Sequence, residues 1–274
     1  MGDNAKAAIY CFLVGCLAAL AIISSTYSVV QTHRSPTVAE LQEFNNNTDV
    51  LLVKKQQKII TKSRESAVQV ISASPEQHVA MQSGTYITFL GRYFVLTTNH
   101  GIIGNCELTK IYISHTDEIV DCGRFIELNA EVDYALIEIH ELETRKATRL
   151  PADMPRKHKH WKESFAIMNR LFYTGYPNST GPLTISGEAA GYSDGDFLYA
   201  ISYAWSGSSG AGVFSQQGYY IGYVLAVDVG EGVIGHPTAL ENVVLIVPAF
   251  RINWEAALGL PPLEEVPEAE DTAN

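Results

Sequence analysis

The run Gly207-Ser208-Ser209-Gly210-Ala211-Gly212 lies between two apolar stretches, Phe197 to Trp205 and Tyr219 to Val227. Residues this small bury almost no area, so a fold that sets them between two strands is using their backbone freedom and a hydroxyl. A nucleophilic serine needs both. Its hydroxyl is a weak nucleophile until a base takes the proton, and N–H donors must hold the oxyanion that forms after attack. A plain Gly/Ser hairpin loop has the same composition, so the run by itself leaves two readings open.

With 274 residues, 46% of them hydrophobic, the chain can hold one large domain or two small barrels. Short β-branched and aromatic runs recur, and 3.6-period stretches are scarce outside the termini, so an all-β body is expected. The net charge is -11, but Glu264, Glu265, Glu268, Glu270 and Asp271 supply five of those charges. The rest of the chain is still acidic, which argues against a nucleic-acid partner. Arg156 to Lys162, which includes His158 and His160, is a local exception. It reads either as a solvated loop or as a contact for phosphate or anionic lipid. The four cysteines match no metal-ligand spacing: Cys11 and Cys16 fall in the apolar N-terminus, Cys106 and Cys122 in the body. Whether the second pair is bonded depends on compartment, which the sequence leaves open. Neither a metal nor an organic cofactor is expected.

After a short tail, 1–6, residues Ala7 to Val30 carry no formal charge. As a helix they would reach roughly 36 Å, enough for a bilayer core, and are read as a single-pass membrane anchor. A cleaved signal peptide is the rival, though its apolar part is usually shorter and its front basic. Lys6 and Arg34 nearly balance across the segment, so the side of the membrane is undetermined. Residues 31–66 turn polar and are expected to form a stalk, with room for a short helix. From Ala67, six strand-like runs follow: 67–71, 85–90, 93–97, 108–113, 124–128 and 134–139. A tight hairpin turn is expected at Gly91-Arg92. Residues 151–165 read as a linker. A second set of runs covers 166–173, 182–186, 197–203, 212–215, 219–227 and 243–247. The expected architecture is two six-stranded antiparallel β-barrels, 67–150 and 166–258, the second closed by a short helix over Arg251 to Leu258. An acidic tail, 259–274, ends the chain.

Two further signals bear on the serine. Tyr93 to Asn99 is a mostly apolar strand running into His100, and a strand end fixes an imidazole better than a free loop does. Asp133 immediately precedes the apolar run Tyr134 to Ile139. Each alone has a structural explanation. Together, in the order His, Asp, Ser, they form a chemical set, because a hydrolytic serine needs a base and the base needs a carboxylate to fix its tautomer. His78, His115, His140, His158, His160 and His236 lack a comparable setting, and Asp117 and Asp121 lead into no apolar strand.

These segments resemble the chymotrypsin-fold (trypsin-like) serine peptidases. Val95 to His100 is similar to their histidine box, Asp133 to Ile137 to Asp-x-Ala-Leu, and Gly207 to Ala211 to Gly-x-Ser-Gly-Gly. In style the chain looks most like the bacterial Do-like (high-temperature-requirement) branch, with Gly175-Tyr176-Pro177, Ile185-Ser186-Gly187, Gly218 and Ile221-Gly222 in similar places. The resemblance covers about two-thirds of the chain, from Gln77 to Phe250. It implies Ser209 as nucleophile, His100 as general base and later acid, and Asp133 as the group that orients the imidazole. It also implies an oxyanion hole from the N–H groups of Gly207 and Ser209, and a polypeptide substrate.

Departures from the pattern limit what is carried over. Ser208 stands where digestive members have an Asp that pairs with a new N-terminus, so that route of activation is not expected. Ala211 and Gly212 replace Gly-Pro, which leads us to expect a mobile oxyanion loop. The stretch after the second barrel is too short for a PDZ module, so peptide-gated assembly is not expected. Tyr203, six residues before the nucleophile, would lie at the base of the primary pocket, and Tyr223, Val224, Leu225 and Ala226 would form its wall. With no acid among them, cleavage after uncharged residues is expected. The sequence-level conclusion is a membrane-anchored serine endopeptidase, with viral polyprotein processing as one variant. The alternative is a catalytically inactive scaffold or peptide-binding module of the same fold.

Overall fold

The computed structural model describes residues 37, 40, 54–193, 197–231, 237–254 and 258, with the side chains of 54–55, 226–231 and 237–241 outside that description. The chain divides into two units, Met1–Leu52 and Val53–Asn274. In the first, Thr37 and Glu40 bond reciprocally: the Thr37 N–H donates to the Glu40 carboxylate at 2.7 Å, and the Glu40 N–H to Thr37 Oγ1 at 3.3 Å. The anchor expected over 7–30 and the tail 259–274 lie outside the described residues. Among the described residues no helix is long and apolar enough to cross a membrane.

The second unit opens with helix α1 (Lys54–Ser66). Its apolar Ile59 and the small Ser63 and Ser66 are buried, and Ser63 Oγ donates to Thr174 Oγ1 at 2.8 Å. Lys62 caps the contact, reaching Asp153 at 3.1 Å and the Gly218 carbonyl at 3.1 Å. The last part of the expected stalk is thus a helix docked on the body, because one face supplies small and apolar residues that pack against strands.

The first sheet contains β1 (Ala67–Ala73), β2 (Val79–Phe89), β3 (Arg92–Thr97), β4 (Thr109–Ile113), β5 (Glu118–Asp121), β6 (Arg124–Asn129), β7 (Tyr134–Ile139) and β8 (Thr148–Arg149). Its order is β5-β4-β1-β2-β3-β7-β6, with β8 pairing β2 in parallel. The hairpin between β2 and β3 turns on Leu90 and Gly91, both at positive φ, one residue earlier than expected. The expectation of two closed six-stranded barrels is corrected here: this sheet is a curled half-barrel with eight strands. β5 and β6 form its two edges, joined only by Cys122 and Gly123. The N–H of Cys122 goes to the Thr109 carbonyl and that of Gly123 to the Glu138 carbonyl, so the chain crosses the gap without a ladder. β5 itself went unread because its Glu118–Asp121 segment is short, largely exposed and charged at both ends. Cys106, before β4, and Cys122, after β5, form a disulfide with Cα atoms 5.4 Å apart, which ties off the open end of that hairpin.

Between the two sheets, the expected linker contains helix α2 (His158–Phe165), which buries Ser164 and Phe165. The second sheet is a closed barrel in the order β10-β11-β14-β13-β12-β9, built from β9 (Arg170–Gly175), β10 (Leu183–Tyr192), β11 (Leu198–Ile201), β12 (Gly212–Ser215), β13 (Tyr220–Glu231) and β14 (Pro237–Pro248). At the C-terminus a 3-10 turn, Ala249–Arg251, precedes helical Trp254 and Leu258, and the Trp254 indole N–H donates to the Ala249 carbonyl at 2.7 Å.

Each sheet encloses its own core. A third cluster joins them: Ile87, Phe94, Leu96, Tyr134 and Leu136 from the first sheet pack with Phe172, Phe214, Tyr220, Tyr223 and Val247 from the second. Large aromatic side chains dominate this seam, so its burial is the main apolar contribution holding the two sheets in one orientation.

Candidate active site

Antiparallel pairing of β3 with β7 places Thr97 opposite Ala135. The chain leaving the end of β3 therefore meets the chain entering β7. His100 is three residues past the first and Asp133 one residue before the second, so strand pairing brings together residues 33 apart in sequence. Asp133 Oδ1 accepts the His100 backbone N–H at 2.8 Å, and Oδ2 lies 2.6 Å from His100 Nδ1. One carboxylate thus fixes both the backbone and the ring of the same histidine. Asp133 adopts φ +58°, the left-handed region that Asp tolerates better than most residues. Its carbonyl also accepts from the Asn99 N–H at 3.3 Å.

The strand end behind His100 is held as well. Gln82 on β2 donates to the Thr98 carbonyl at 2.9 Å and accepts from the Thr98 hydroxyl. The His100 side chain is 52% exposed and the Asp133 side chain 23%. With Nδ1 committed to Asp133, Nε2 is the ring nitrogen that can meet a substrate. The hydrogen bond from Asp133 raises the His100 pKa above its ordinary value of 6.5, with partial burial opposing and the carboxylate charge adding to the shift.

The Ser209 segment is two successive turns. The Ser208 N–H donates to the Trp205 carbonyl at 2.9 Å, and the Ala211 N–H to the Ser208 carbonyl at 3.1 Å. Gly207 and Gly210 occupy the third position of each, at φ +90° and +86°, a conformation that excludes ordinary L residues. Contact adds to the constraint, since a Cβ on Gly210 would meet the Ser83 carbonyl oxygen at 2.2 Å. Ser208 is buried and its hydroxyl accepts the Trp205 N–H at 3.2 Å, so it braces the turn from within. Among the described residues, the N–H groups of Gly207 and Ser209 donate to no protein acceptor.

Ser83 on β2 connects this segment to the first sheet. Its N–H donates to the Ser209 carbonyl at 2.9 Å and its hydroxyl to the Gly207 carbonyl at 2.6 Å, while the same hydroxyl accepts the Tyr176 N–H at 2.8 Å. Thr97 and Thr85 add hydroxyl bonds to the Ser83 and Gly210 carbonyls. Gly175-Tyr176-Pro177 forms the other flank, where the Asn178 N–H donates to the Ser206 carbonyl at 2.6 Å. The fold thus brings His100 and Asp133 into direct contact and holds the Ser209 backbone against the neighbouring strand. Among the described residues, no hydrogen bond joins Ser209 Oγ to the imidazole.

Of the expected specificity residues, Tyr203 is 55% exposed and stacks on Trp205, itself 46% exposed, with ring centroids 6.1 Å apart. Tyr173 reaches that region from beneath and donates to the Tyr203 carbonyl; its burial pushes the phenol up to about 12. Tyr223 and Val224 are fully buried, and Leu225 packs on the inter-sheet cluster. The Ala226 side chain lies outside the described residues. Tyr223 donates from its hydroxyl to the Val132 carbonyl at 2.8 Å, so the second barrel supports the backbone next to Asp133. Sequence reasoning missed Gln82, Ser83 and this use of Tyr223. The available signal was the polar pair Gln82-Ser83 within a largely buried strand, where buried polar groups require partners. Among the described residues, no cluster of His, Cys, Asp and Glu could hold a metal ion.

No protein-family model and no curated protein sequence matches the chain. Solved structures do. A serine endoprotease from Yersinia pestis superposes with TM-score 0.56 at 15% identity, covering 74% of this chain and 66% of its own. The HtrA-type protease AlgW with a tripeptide gives 0.54 at 13% identity, over 71% and 60%. The Rv3671c protease from M. tuberculosis in its active form gives 0.56 at 16% identity, over 78% and 88%. The chain therefore spans somewhat under two-thirds of the length of the first two. At these identities the likeness establishes the fold: this chain has the chymotrypsin-like double-barrel architecture found in HtrA-type serine proteases.

Two consequences of the geometry are open to measurement. An NMR titration of His100 is expected to give a midpoint above 6.5 that falls in Asp133→Asn. Because the folded value is the raised one, the stability gained from this pair is fully present below the unfolded pKa and is lost as pH rises through the folded one. An unshifted His100 would contradict the paired geometry. Ser83→Ala strands the buried Tyr176 N–H and is expected to cost about 2 kcal/mol in urea unfolding. A cost near zero would show that this contact does not support the loop.

Proposed function

We propose that the chain is a serine endopeptidase that uses Ser209, His100 and Asp133 as a catalytic triad. The observation that carries this reading is the two-point grip of Asp133 on His100, which occupies Nδ1 of a half-exposed imidazole. Ser209 Oγ attacks the scissile carbonyl while His100 Nε2 takes its proton. Asp133 holds the Nδ1 proton and stabilises the resulting imidazolium. The N–H groups of Gly207 and Ser209 receive the oxyanion. His100 then protonates the leaving amine, and water, deprotonated by the same imidazole, hydrolyses the acyl-enzyme. The missing Ser209–His100 hydrogen bond is the observation that favours the alternative, an inactive member of the fold. Catalytic hydrogen bonds in substrate-free sites commonly tighten only when substrate binds, so the geometry still supports activity.

The substrate is a polypeptide cut after an uncharged residue. From Phe197 to Val227 the chain carries no Asp, Glu, Lys or Arg, so the segments beside Ser209 offer no charge to recognise a charged side chain. The exposed Tyr203–Trp205 pair offers apolar surface instead. Membrane attachment through residues 7–30 is part of the proposal and rests on their apolar composition.

A fluorophosphonate probe is expected to label the wild-type chain and not Ser209→Ala, whose turnover falls by several orders of magnitude. Equal labelling of both would remove Ser209 from the mechanism. In a peptide library, cleavage is expected after uncharged residues; dominant cleavage after Lys or Arg would overturn the specificity reading.

A further inference from the structure

Helix α2 and the end of β14 border a cavity of about 450 Å³, within the range of small-molecule sites and distinct from the residues around Ser209. Its wall is aromatic: Trp161, Phe165, Tyr192 and Phe250 line it, and among the described residues His158 and Lys162 are the charged or titratable groups that line it besides the Tyr192 phenol. Trp161 and Phe165 stack at 5.9 Å, and Phe250 meets both edge-on at 5.4 and 5.7 Å. The rings are fixed by more than mutual contact, since the Tyr192 hydroxyl donates to the Phe165 carbonyl. Phe250 is nevertheless 52% exposed and Tyr192 54%, so the aromatic surface is open on one side.

Among the described residues no carboxylate lines the cavity, and Glu163 on the same helix lies 3.8 Å from Lys159. Lys162 makes no ion pair or hydrogen bond among the described residues. Arg156, Lys157 and Lys159 extend the same basic segment in a chain whose net charge is -11. An apolar cavity with an unpaired cation at its mouth complements an apolar chain ending in an anion. We propose that this cavity binds a single-chain amphiphilic anion, a long-chain carboxylate or alkyl phosphate, with its tail against Trp161, Phe165 and Phe250 and its head at Lys162. This inference is independent of the peptidase reading.

Dansyl-undecanoate is the probe, added to the full chain and read by energy transfer from tryptophan. Saturable transfer is expected, reduced in Trp161→Phe. Dodecanoate and dodecyl phosphate, below their micellar concentrations, are expected to displace the probe, and dodecyltrimethylammonium to do so much less well. Because residues 7–30 can also hold an amphiphile, the readout is the difference between variants. Lys162→Gln should weaken the anions by roughly threefold, as for an exposed charge pair, and leave a neutral dodecyl maltoside unchanged. Phe250→Ala should weaken all of them by about tenfold through lost apolar contact. The proposal is overturned if the cationic chain competes as well as the anionic ones, or if Lys162→Gln has no effect. It is also overturned if only anionic phosphatidylglycerol vesicles, and no monomeric chain, displace the probe, which would make this face a bilayer contact.

Discussion

A single buried serine on β2 holds the Ser209 loop of one sheet against the other. Through its N–H and hydroxyl, Ser83 engages the carbonyls of Ser209 and Gly207 and the N–H of Tyr176, all from the second sheet or its loops. These carbonyls alternate along the chain with the peptide units whose N–H groups are free. Holding them pointed toward β2 leaves the N–H groups to point elsewhere, and a turn so held has little rotational freedom left. The sequence departures at Ala211 and Gly212 led us to expect a mobile loop. The structure instead shows it tied at Ser83, Thr85, Val224 and Asn178. Positive-φ glycines make such a turn accessible, and the bonds to β2 select it.

The same economy governs the histidine. Pairing between β3 and β7 delivers His100 and Asp133 to one end of the half-barrel, and Tyr223 from the other barrel supports the Val132 carbonyl beside the acid. A carboxylate that accepts both the ring and the backbone of one histidine leaves the imidazole a single useful orientation. Preorganisation of this kind lowers the cost of reaching a transition state, because little has to move when charge develops. The aromatic seam between the sheets supplies the rigidity that this arrangement needs, with Tyr134 and Leu136 of β7 packed directly against residues of the second barrel.

The local signals in the sequence were sufficient where the chain's own chemistry determines the outcome. Apolar strands ending at His100 and beginning after Asp133 could be read directly, as could the glycine-bracketed serine, because each signature is contained in a few consecutive residues. Features that depend on long-range pairing could not. Ser83 and Gln82 look like ordinary strand polar residues until their partners, more than a hundred residues away in the case of Gly207, are known. Tyr203 and Tyr223 are placed by counting from the serine, and counting leaves open that Tyr223 is buried while Tyr203 is exposed. Closure of the first barrel failed for a related reason: the short β5 and β8 carry little local signal, and whether the outermost pair forms a ladder depends on how the two-residue connection at Cys122-Gly123 directs the chain. Helix α2 was hidden by a run of charges that reads as loop, although Trp161 and Phe165 at i and i+4 mark one apolar face.

The account as a whole requires Ser209, His100 and Asp133 to act on one substrate atom. A crystal structure of the chain inhibited by a peptidyl phosphonate tests this directly. The result expected is phosphorus bonded to Ser209 Oγ, one phosphonyl oxygen within hydrogen-bonding distance of the Gly207 and Ser209 N–H groups, and His100 Nε2 within reach of the ester with Asp133 still on Nδ1. An adduct on another residue, or on Ser209 with His100 turned away from it, would contradict the account.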